Sequence, residues 1–426
     1  MVPGEIWTVR DLFVYPNEYI YWALPIVMYP FMTGLVAGAF VLSSLYHVFG
    51  IKQLHDLARF ALVFSLALLF VAPLPLLMHL QQPTRGFNVF LTPHFTSAIA
   101  AFGIVFVSYG TLVASEIWLL YRGHLVRTAL RLRSTQGKSV GQWLAYLLFT
   151  VLTLGAFDLS EKTLRLDKRA IGVLAAAGIP LASFLHGYAG FIFGSVKANA
   201  LWMTPLMPVI FIVSAVVSGI ALCLLTYIMM MEFRRFVATR RAKRGALATG
   251  LDQSESREQI ASVEIAVVRT TARYLLLFLV LAISLEMLDL VFRGYTAVRS
   301  WDALRNVIYD KDANSIFLLQ YGIGNLLPLV LFLLPRLSVR RAVVGLLLVL
   351  FGVFMMRWNV VIGGQAFSLS FAGYMEYELP IIPHDFDTFR EGVTGALLIL
   401  VTPFFLFWLL AKIFPVTRAD SAEPSP

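Results

Sequence analysis

Long apolar runs recur along almost the whole chain, and their length constrains the fold more than any other feature. About nine runs have roughly twenty residues or more, which is the length that an α-helix needs to cross roughly 30 Å of hydrocarbon. Because a backbone in lipid must satisfy its own hydrogen bonds, the runs predict an all-α integral membrane protein, a polytopic bundle of about nine transmembrane helices. The runs lie at approximately residues 20–48, 57–80, 96–121, 169–194, 205–231, 268–294, 314–335, 341–361 and 391–414.

The composition agrees with a chain embedded in lipid. Hydrophobic residues make up 59% of the chain and charged residues only 14%, whereas soluble proteins carry about a quarter charged residues. The net charge of +9 is concentrated between the apolar runs rather than along one exposed face, so it does not indicate a nucleic-acid partner. The single cysteine, Cys223, lies in an apolar run. One cysteine excludes an iron–sulfur cluster, a thiolate zinc site and an internal disulfide within this chain.

The positions of Lys and Arg predict the orientation in the membrane. An apolar stretch at residues 140–157 is short for a crossing. Whether it crosses determines the side of the membrane on which every later loop lies. If this stretch stays on the cytoplasmic side and the N-terminus is periplasmic, most of the 34 basic residues face the cytoplasm. If it crosses, the basic cluster at 234–244 faces outward, against the positive-inside rule. We therefore predict nine crossings with an interfacial or re-entrant insertion at 140–157, and ten crossings are the alternative.

The crossings group into two predicted four-helix bundles plus an extra helix. Residues 1–19 form an outer segment, 20–194 the first bundle with its 140–157 insertion, 195–361 the second bundle, and 362–426 an outer loop, the last helix and a cytoplasmic tail. The outer loop at 362–390 is long and acidic, and such loops are more often functional than idle. It is a candidate docking surface for a partner, or else a solvated lid. Trp202 and Trp301 fall in predicted outer loops, where aromatic rings typically meet the lipid headgroups.

Four local patterns lie near the predicted outer ends of the first four spans. Pro kinks a helix, and Gly at i and i+4 lets a neighbouring helix approach closely. The patterns are Tyr29-Pro30 with Gly34 and Gly38; Pro73, Pro75 and His79 followed by Gln81-Gln82-Pro83-Thr84-Arg85-Gly86-Phe87-Asn88; Thr92-Pro93-His94-Phe95-Thr96-Ser97; and His186-Gly187-Tyr188-Ala189-Gly190 followed by Ser195, Lys197, Leu201-Trp202 and Thr204-Pro205-Leu206.

In this order and spacing the patterns resemble the NrfD/PsrC family, the membrane subunits of polysulfide reductase and related respiratory complexes. The resemblance runs through most of the chain. With Asp289 and Arg293 in one later span and Arg357-Trp358-Asn359 in another, the chain is most similar to the longer HybB/DsrP-type members. It departs from the family at His79, where members often have Asp.

The resemblance implies a quinone-interacting anchor in a bacterial inner (plasma) membrane. Such a subunit binds menaquinone or ubiquinone near the outer face and has no haem or iron–sulfur cluster of its own. It exchanges electrons with a ferredoxin-like [4Fe-4S] subunit on the periplasmic face, alongside a catalytic molybdopterin or multihaem cytochrome c subunit. The chain alone would not be catalytic. Terminal substrates are set by other subunits, so the resemblance leaves the substrate and the direction of electron flow open.

Quinone chemistry moves two electrons and two protons, and four residues are candidates to serve it. The resemblance places Tyr29 and Tyr188 where family members contact the quinone, and the alternative is that each tyrosine satisfies a backbone carbonyl. His79 and His186 lie near outer ends of spans, where a neutral imidazole can donate to a quinone carbonyl and pass a proton on. Haem ligation is a further alternative, but both histidines are near helix ends and no second pair exists, which favours a haem-free site. Either histidine could also be a satisfied core residue.

Ionisable residues inside spans are costly and mark function by default. Glu286 and Asp289 share one face of the sixth span with Arg293, and Asp289 and Arg293 form an i, i+4 pair that can neutralise itself. Glu286, one turn deeper, is the better candidate for a proton relay, with Arg357 as its partner. Glu116 lies nearer the cytoplasmic end of the third span. It is either a proton entry or a wetted carboxylate at a helix end.

Two other classes of function compete with the quinone-linked anchor. A secondary transporter with a midmembrane binding site would also show helices broken by Pro and Gly and carboxylates near the midplane. Transporters tend to contain an inverted internal repeat, and the sequence shows no convincing one. A purely structural anchor would leave the buried His, Tyr and Glu groups without a purpose.

Overall fold

The computed structural model describes residues 21–97, 99–135, 139–196, 199–249, 264–296, 301–366 and 375–417. The predicted outer segment 1–19, Lys197, part of the outer loop (367–374) and the tail beyond 417 lie outside the described residues. Within the described ranges every regular element is a helix, and nine helices are long and apolar enough to cross a membrane. The predicted all-α, nine-span polytopic fold is confirmed.

The helices of the first half of the chain run up to the loop at 195–206. They are α1 (Leu24–His47), α2 (His55–Val71), α3 (Leu74–His79), α4 (Asn88–Leu91), α5 (Ala100–Ser134), α6 (Val140–Leu152) and α7 (Glu161–Gly194). Short 3-10 turns at Lys52–Leu54 and Pro83–Phe87 join them. The second span is continuous from Lys52 to His79, with Pro73 and Pro75 close to the junction of α2 and α3.

The helices of the second half include several wider, π-helical stretches. The α-helices of this half are α8 (Met207–Thr249), α9 (Ile265–Thr296), α10 (Trp301–Asn306), α11 (Leu327–Leu333), α12 (Val339–Trp358), α13 (Phe386–Glu391) and α14 (Val393–Ile413). The π-helical segments are Val307–Lys311, Asn314–Leu326 and Asn359–Gly363. π-Helical turns inside α-helices are rare and are often found at functional sites, and in this chain they contribute to the lining of a cavity.

The chain divides into two compact units. The amino-terminal unit consists of residues 23–192 and 379–417, so it contains α1 to α6, most of α7, and the last two helices. The central unit consists of Trp22 and residues 193–378, with four spans that begin at α8, α9, Asn314 and α12. The sequence grouped the last span with the outer loop and tail, whereas the structure packs it in the amino-terminal unit, where the Phe60 and Phe407 ring centroids are 4.8 Å apart.

Helix α6 packs along the inner half of α5 and does not extend past it. The Trp118 indole nitrogen donates to the carbonyl of Leu152 at 2.9 Å, and the Arg122 guanidinium donates to the carbonyl of Asp158 and to the Asp167 carboxylate, both at 2.6 Å. Asp167 lies two turns into α7, so α7 starts at the end of the unit where α5 finishes. A crossing α6 would make α5 and α7 parallel and would place Asp167 at the opposite end. These contacts support the prediction of an interfacial or re-entrant insertion.

The central unit contains one very close helix crossing. A Cβ on Gly324 would overlap the backbone of Gly352, and a Cβ on Gly352 would lie 2.5 Å from the Gly324 carbonyl oxygen. Gly324 belongs to the π-helical Asn314–Leu326 segment and Gly352 to α12. Small residues are what allow two membrane helices to approach to this distance.

Trp202 differs from its expected role as an interfacial ring. It is 0% exposed, it stacks on Trp22 with ring centroids 4.9 Å apart, and its indole nitrogen donates to the carbonyl of Val360. The expectation of a headgroup-facing Trp202 was therefore wrong. The indole fills a space that exists because Gly364 has no side chain, since a Cβ there would overlap the ring.

Candidate functional site

His186 lies in the core of the amino-terminal unit and is hydrogen bonded to the first span. It is 0% exposed, and its Nδ1 atom is 3.2 Å from the Thr33 hydroxyl. The Thr33 hydroxyl is also 3.1 Å from the carbonyl oxygen of Tyr29, one turn earlier and next to Pro30. Two of the sequence motifs, one in the first span and one in the fourth, therefore meet at this hydrogen bond.

Three aromatic rings extend from this point toward the outside of the unit. The rings of Tyr29 and Phe102 meet edge to face at 5.9 Å, and the Phe102 ring is 6.5 Å from that of Tyr188. Tyr188 is half-buried and is flanked by exposed Phe184 and Phe191. In a membrane, exposed rings of this kind contact acyl chains. A series of ring contacts thus connects buried Tyr29, through Phe102, to the half-buried Tyr188.

The Tyr29 hydroxyl has the chemistry of a ligand contact. Its oxygen is buried, and no hydrogen-bond partner for it exists among the described residues. Buried polar groups nearly always have a partner, so an unpaired one calls for a water molecule or a ligand. A quinone carbonyl is an acceptor of the kind that this hydroxyl lacks, and the rings of Phe102 and Tyr188 are apolar neighbours of the kind that a quinone ring and tail need.

His79 belongs to a second polar group at the same end of the unit. Its Nδ1 atom is 3.5 Å from a Glu391 carboxylate oxygen, and that same oxygen is 3.3 Å from the guanidinium of Arg390. Arg390 also donates to the carbonyl of Leu80 at 3.4 Å. Nearby, hydrogen bonds from Thr388 hold the pKa of Asp385 below its usual value, so the start of α13 keeps a charged carboxylate. Only the acidity of the outer loop hinted at Glu391.

Two buried polar residues on α5 lead away from this region toward the predicted cytoplasmic end. Glu116 is 1% exposed, and neither of its carboxylate oxygens has a hydrogen-bond partner within the described residues. Tyr109 lies two turns earlier on the same helical face, and its hydroxyl is likewise buried and unpaired there. Two turns beyond Glu116 is the Arg122–Asp167 ion pair. Glu116 is therefore a core residue, so the alternative of a wetted carboxylate at a helix end was wrong.

The central unit holds a separate cavity of about 120 Å³, whose lining is mostly apolar but includes a polar group around Glu286. The Gln320 side chain donates to Glu286 at 2.9 Å, and Asn359 donates to the Gln320 carbonyl oxygen at 2.7 Å. The Ser315 hydroxyl in turn donates to Asn359. Ser315 and Gln320 lie in the Asn314–Leu326 π-helical segment and Asn359 begins another. The π-helical turns thus position the Gln320 amide, which donates to Glu286, and the Asn359 amide, which donates to Gln320.

Asp289 and Arg293 connect the same cavity to the loop that precedes α8. Asp289 accepts from the Thr204 hydroxyl at 2.6 Å and from the Arg293 guanidinium at 2.8 Å. Arg293 also donates to the carbonyls of Ala200 and Leu201 at 2.7 and 3.1 Å. The pair that sequence spacing predicted is formed, and in addition it fixes the loop.

Arg357 is a fully buried cation in the central unit. Its guanidinium lies 3.8 Å from the centroid of the Phe211 ring and donates to the Ser214 hydroxyl at 2.7 Å. A cation over a ring face is stabilised by the ring quadrupole when water is absent. The predicted partner of Glu286 is thus held in place largely by α8.

The structure places seven of the eight predicted residues in three groups, and Glu116 lies apart from them on α5. Thr33 and Phe102 link His186, Tyr29 and Tyr188, whereas His79 joins Glu391, and Glu286, Asp289 and Arg357 lie in the central unit. The contacts also involve residues that were not predicted from the sequence, among them Thr33, Phe102, Tyr109, Ser315, Gln320 and Glu391. Among the residues that the structure describes, no cluster of three or more His, Cys, Asp or Glu could hold a metal ion.

Comparisons with known proteins agree on one family. The family model described as polysulphide reductase, NrfD, matches residues 15–369. The chain is 34% identical to the C subunit of the selenate reductase of Mesobacillus selenatarsenatis over 216 residues, which are 50% of this chain and 49% of that protein. It is 26% identical over 365 residues to a Halobacterium salinarum protein named as the membrane-bound C subunit of a dimethyl sulfoxide reductase, covering 85% of this chain and 71% of the relative. The match to the selenate reductase protein thus spans about half of its length.

Proposed function

Since the chain belongs to the NrfD family of polysulphide reductase membrane subunits, we propose that it connects the membrane quinone pool to an iron–sulfur partner subunit. The partner would dock on the periplasmic face of the inner membrane, as part of a respiratory reductase with its own catalytic subunit. The two relatives are both named as C subunits of reductases. By analogy, quinol is the electron donor and the partner receives the electrons.

The observation that carries this proposal is the hydrogen bond of buried His186 to Thr33, one turn from Tyr29, whose buried hydroxyl has no partner among the described residues. Tyr29 would donate a hydrogen bond to one carbonyl of the quinone, or accept one from the quinol. His186, oriented by Thr33, would take a proton from the other hydroxyl. Phe102 and Tyr188 would hold the ring from the lipid side. A general base within hydrogen-bond reach of the reacting proton typically contributes 10²–10⁴-fold to rate.

Oxidation of one quinol releases two protons, so the site needs routes to water. His79 is close to a carboxylate and lies at the predicted outer end, which makes the His79–Glu391 pair a suitable outlet. Glu116 and Tyr109 form a second route toward the predicted cytoplasmic end. In the central unit, Glu286 would relay protons within the amide-lined cavity, with Asp289 as the neighbouring acceptor and Arg357 as the compensating charge.

The test is quinol-dependent turnover of the intact complex with Tyr29→Phe, which removes only the hydroxyl. We expect turnover to fall by at least about tenfold, which is the loss of one strong hydrogen bond to the reacting group. Tyr46→Phe is the matched control, because Tyr46 lies on the same helix near its other end. Assembly is checked by co-purification of the partner. Equal turnover of the two variants would remove Tyr29 from the site.

The cavity around Glu286 also favours a second candidate, a secondary transporter, since midmembrane carboxylates beside broken helices are typical of that class. A single purification distinguishes the two candidate functions. A quinone-linked anchor purified in mild detergent retains an iron–sulfur partner and bound quinone. A chain that is stable without either and that takes up a solute in liposomes would be a transporter.

A further inference from the structure

Besides the cavity around Glu286 in the central unit, the protein has a cavity within the amino-terminal unit. It lies at the opposite end of this unit from His186. It has a volume of about 310 Å³ and is lined by residues from the start of α2, the second half of α5, the start of α7 and the segment after α14. Arg59 and His55 come from α2, His124 and Arg127 from α5, and Lys168 from α7. The positive-inside distribution predicts that this end faces the cytoplasm.

Arg59 forms the inner wall of the cavity, and no carboxylate within the described part of the chain forms an ion pair with it. The residue is 8% exposed, and its guanidinium lies 5.0 Å from the centroid of the Tyr121 ring. Its Nε atom is buried, and no hydrogen-bond partner for it exists among the described residues. Burying a guanidinium costs free energy unless an anion pairs with it. An anion bound in this cavity would therefore stabilise the buried Arg59.

The charge balance around Arg59 is strongly positive. Arg127 and Lys168 are exposed and lie at the rim of the cavity, and Arg127 extends over Gly123, which has no side chain to displace it. Among the described residues, Asp167 is the one carboxylate that lines the cavity, and it is already bonded to Arg122. Three permanent cations therefore surround a space with one compensated carboxylate.

Part of the remaining lining is apolar, and this favours an anion that carries an apolar group. Leu119, Leu120, Leu164 and Ile171 complete the wall, and helix α6 lies alongside, with the rings of Phe149 and His124 6.4 Å apart. The outer surface of α6 has exposed leucines and Trp143. A soluble anion would gain nothing from these surfaces, whereas a phospholipid presents a phosphate to the arginines and acyl carbons to the leucines. Basic pockets between helices on the cytoplasmic side bind anionic headgroups in this way.

We propose that this cavity is a binding site for one anionic phospholipid, whose phosphate pairs with Arg59, Arg127 and Lys168 at the cytoplasmic surface. The lipid would tie α2, α5, α7 and the end of α14 together. This site is independent of the proposed quinone chemistry, because it lies at the other end of the same helices.

The experiment measures phospholipid retention by native mass spectrometry and thermal unfolding of the delipidated complex. Phosphatidylglycerol, phosphatidylcholine and inorganic phosphate are added in separate samples, and their effects are compared. We expect phosphatidylglycerol to raise the melting temperature and the other two to leave it nearly unchanged. In the Arg127→Gln/Lys168→Gln variant, affinity for phosphatidylglycerol should fall by about fivefold for each charge removed, or roughly 25-fold in total.

Arg169→Gln is the matched control, because Arg169 is exposed beside Lys168 but does not line the cavity. It should retain the wild-type affinity. Arg59→Gln tests the inner wall, and its folding is checked by whether the partner still co-purifies. If inorganic phosphate raised the melting temperature as much as phosphatidylglycerol does, the lipid assignment would be overturned. If Arg169→Gln lowered the affinity for phosphatidylglycerol as much as Arg127→Gln/Lys168→Gln, the effect would come from general surface charge.

Discussion

The Thr33 hydroxyl is a single group on which the geometry of the proposed quinone site depends. It is 3.2 Å from the His186 Nδ1 atom and thereby restricts the orientation of the imidazole. Threonine thus acts as a positioning residue rather than as a contact to the quinone.

We predict that Thr33→Val lowers quinol-dependent kcat by about two- to tenfold, the equivalent of one net hydrogen bond, with little change in KM. Thr33→Ser restores the hydroxyl and should restore kcat. Steady-state kinetics of the three forms, assayed as the intact complex, provide the measurement. If Thr33→Ser is as slow as Thr33→Val, packing of the methyl group matters and the hydrogen bond does not.

The unusual residues of the site could be predicted from the sequence, but not all of their neighbours. His186 stands out because polar groups are rare in apolar spans, whereas Tyr29 and Tyr188 were predicted from the resemblance to the NrfD/PsrC family. Glu391 could not be predicted as the neighbour of His79, because it comes from the far end of the chain and looks like one acidic residue among several. Such pairings depend on tertiary packing, which a single sequence does not specify.

At the level of helices, the crossing of the Asn314–Leu326 segment with α12 depends on two glycines. A Cβ at position 324 would meet backbone rather than a flexible side chain, so the helices could not relax locally. The π-helical turns on both sides also align Gln320 and Asn359 toward Glu286. Separation of the helices would therefore disturb the polar network as well as the packing.

We predict that Gly324→Ala destabilises the protein by about 1–3 kcal/mol, the usual cost of overpacking. Gly172→Ala is the control, because Gly172 lies in α7 and a Cβ added there would meet no described atom within 4 Å; it should be neutral or slightly stabilising. Thermal unfolding in detergent compares the two. Equal melting temperatures would show that the helices can separate at this crossing without cost.

The topology of α6 can be tested with engineered thiols, because the chain has one cysteine and it is buried. Thr135→Cys and Lys162→Cys lie before and after α6, and both positions are exposed. With a re-entrant α6 we expect a membrane-impermeant thiol reagent to label both positions only from the cytoplasmic side. Labelling of the two from opposite sides would establish a tenth crossing.

Sequence periodicity predicts the number of long helices but not their irregularities. Hydropathy is insensitive to whether a span is α- or π-helical, because both satisfy the backbone within the segment. The prediction of nine spans is confirmed because it depends only on the length and hydropathy of the runs. The π-helical segments could not be predicted in this way, because they leave hydropathy unchanged. The same limit applies to Trp202, whose burial depends on the space above Gly364.

At the scale of the whole molecule, buried ionisable groups occur in both units. The amino-terminal unit contains Glu116 below the proposed quinone site, and the central unit contains Glu286 in its own cavity. Each is a costly group inside a membrane helix, and a carboxyl side chain is not required to fill space in an apolar core. We propose that both serve proton transfer.

We predict that Glu116 connects the proposed quinone site to the cytoplasmic compartment. In proteoliposomes containing the intact complex, wild-type turnover should change the pH on the side where the Arg122 end of α5 emerges. Glu116→Gln should abolish this change, because an amide cannot exchange a proton near neutral pH, while quinol oxidation continues through the His79–Glu391 outlet at a reduced rate. Glu232→Gln, at an exposed position on α8, is the control and should behave like the wild type. A pH change confined to the outer compartment in the wild type would mean that turnover is electroneutral and that the Glu116 carboxyl serves another purpose.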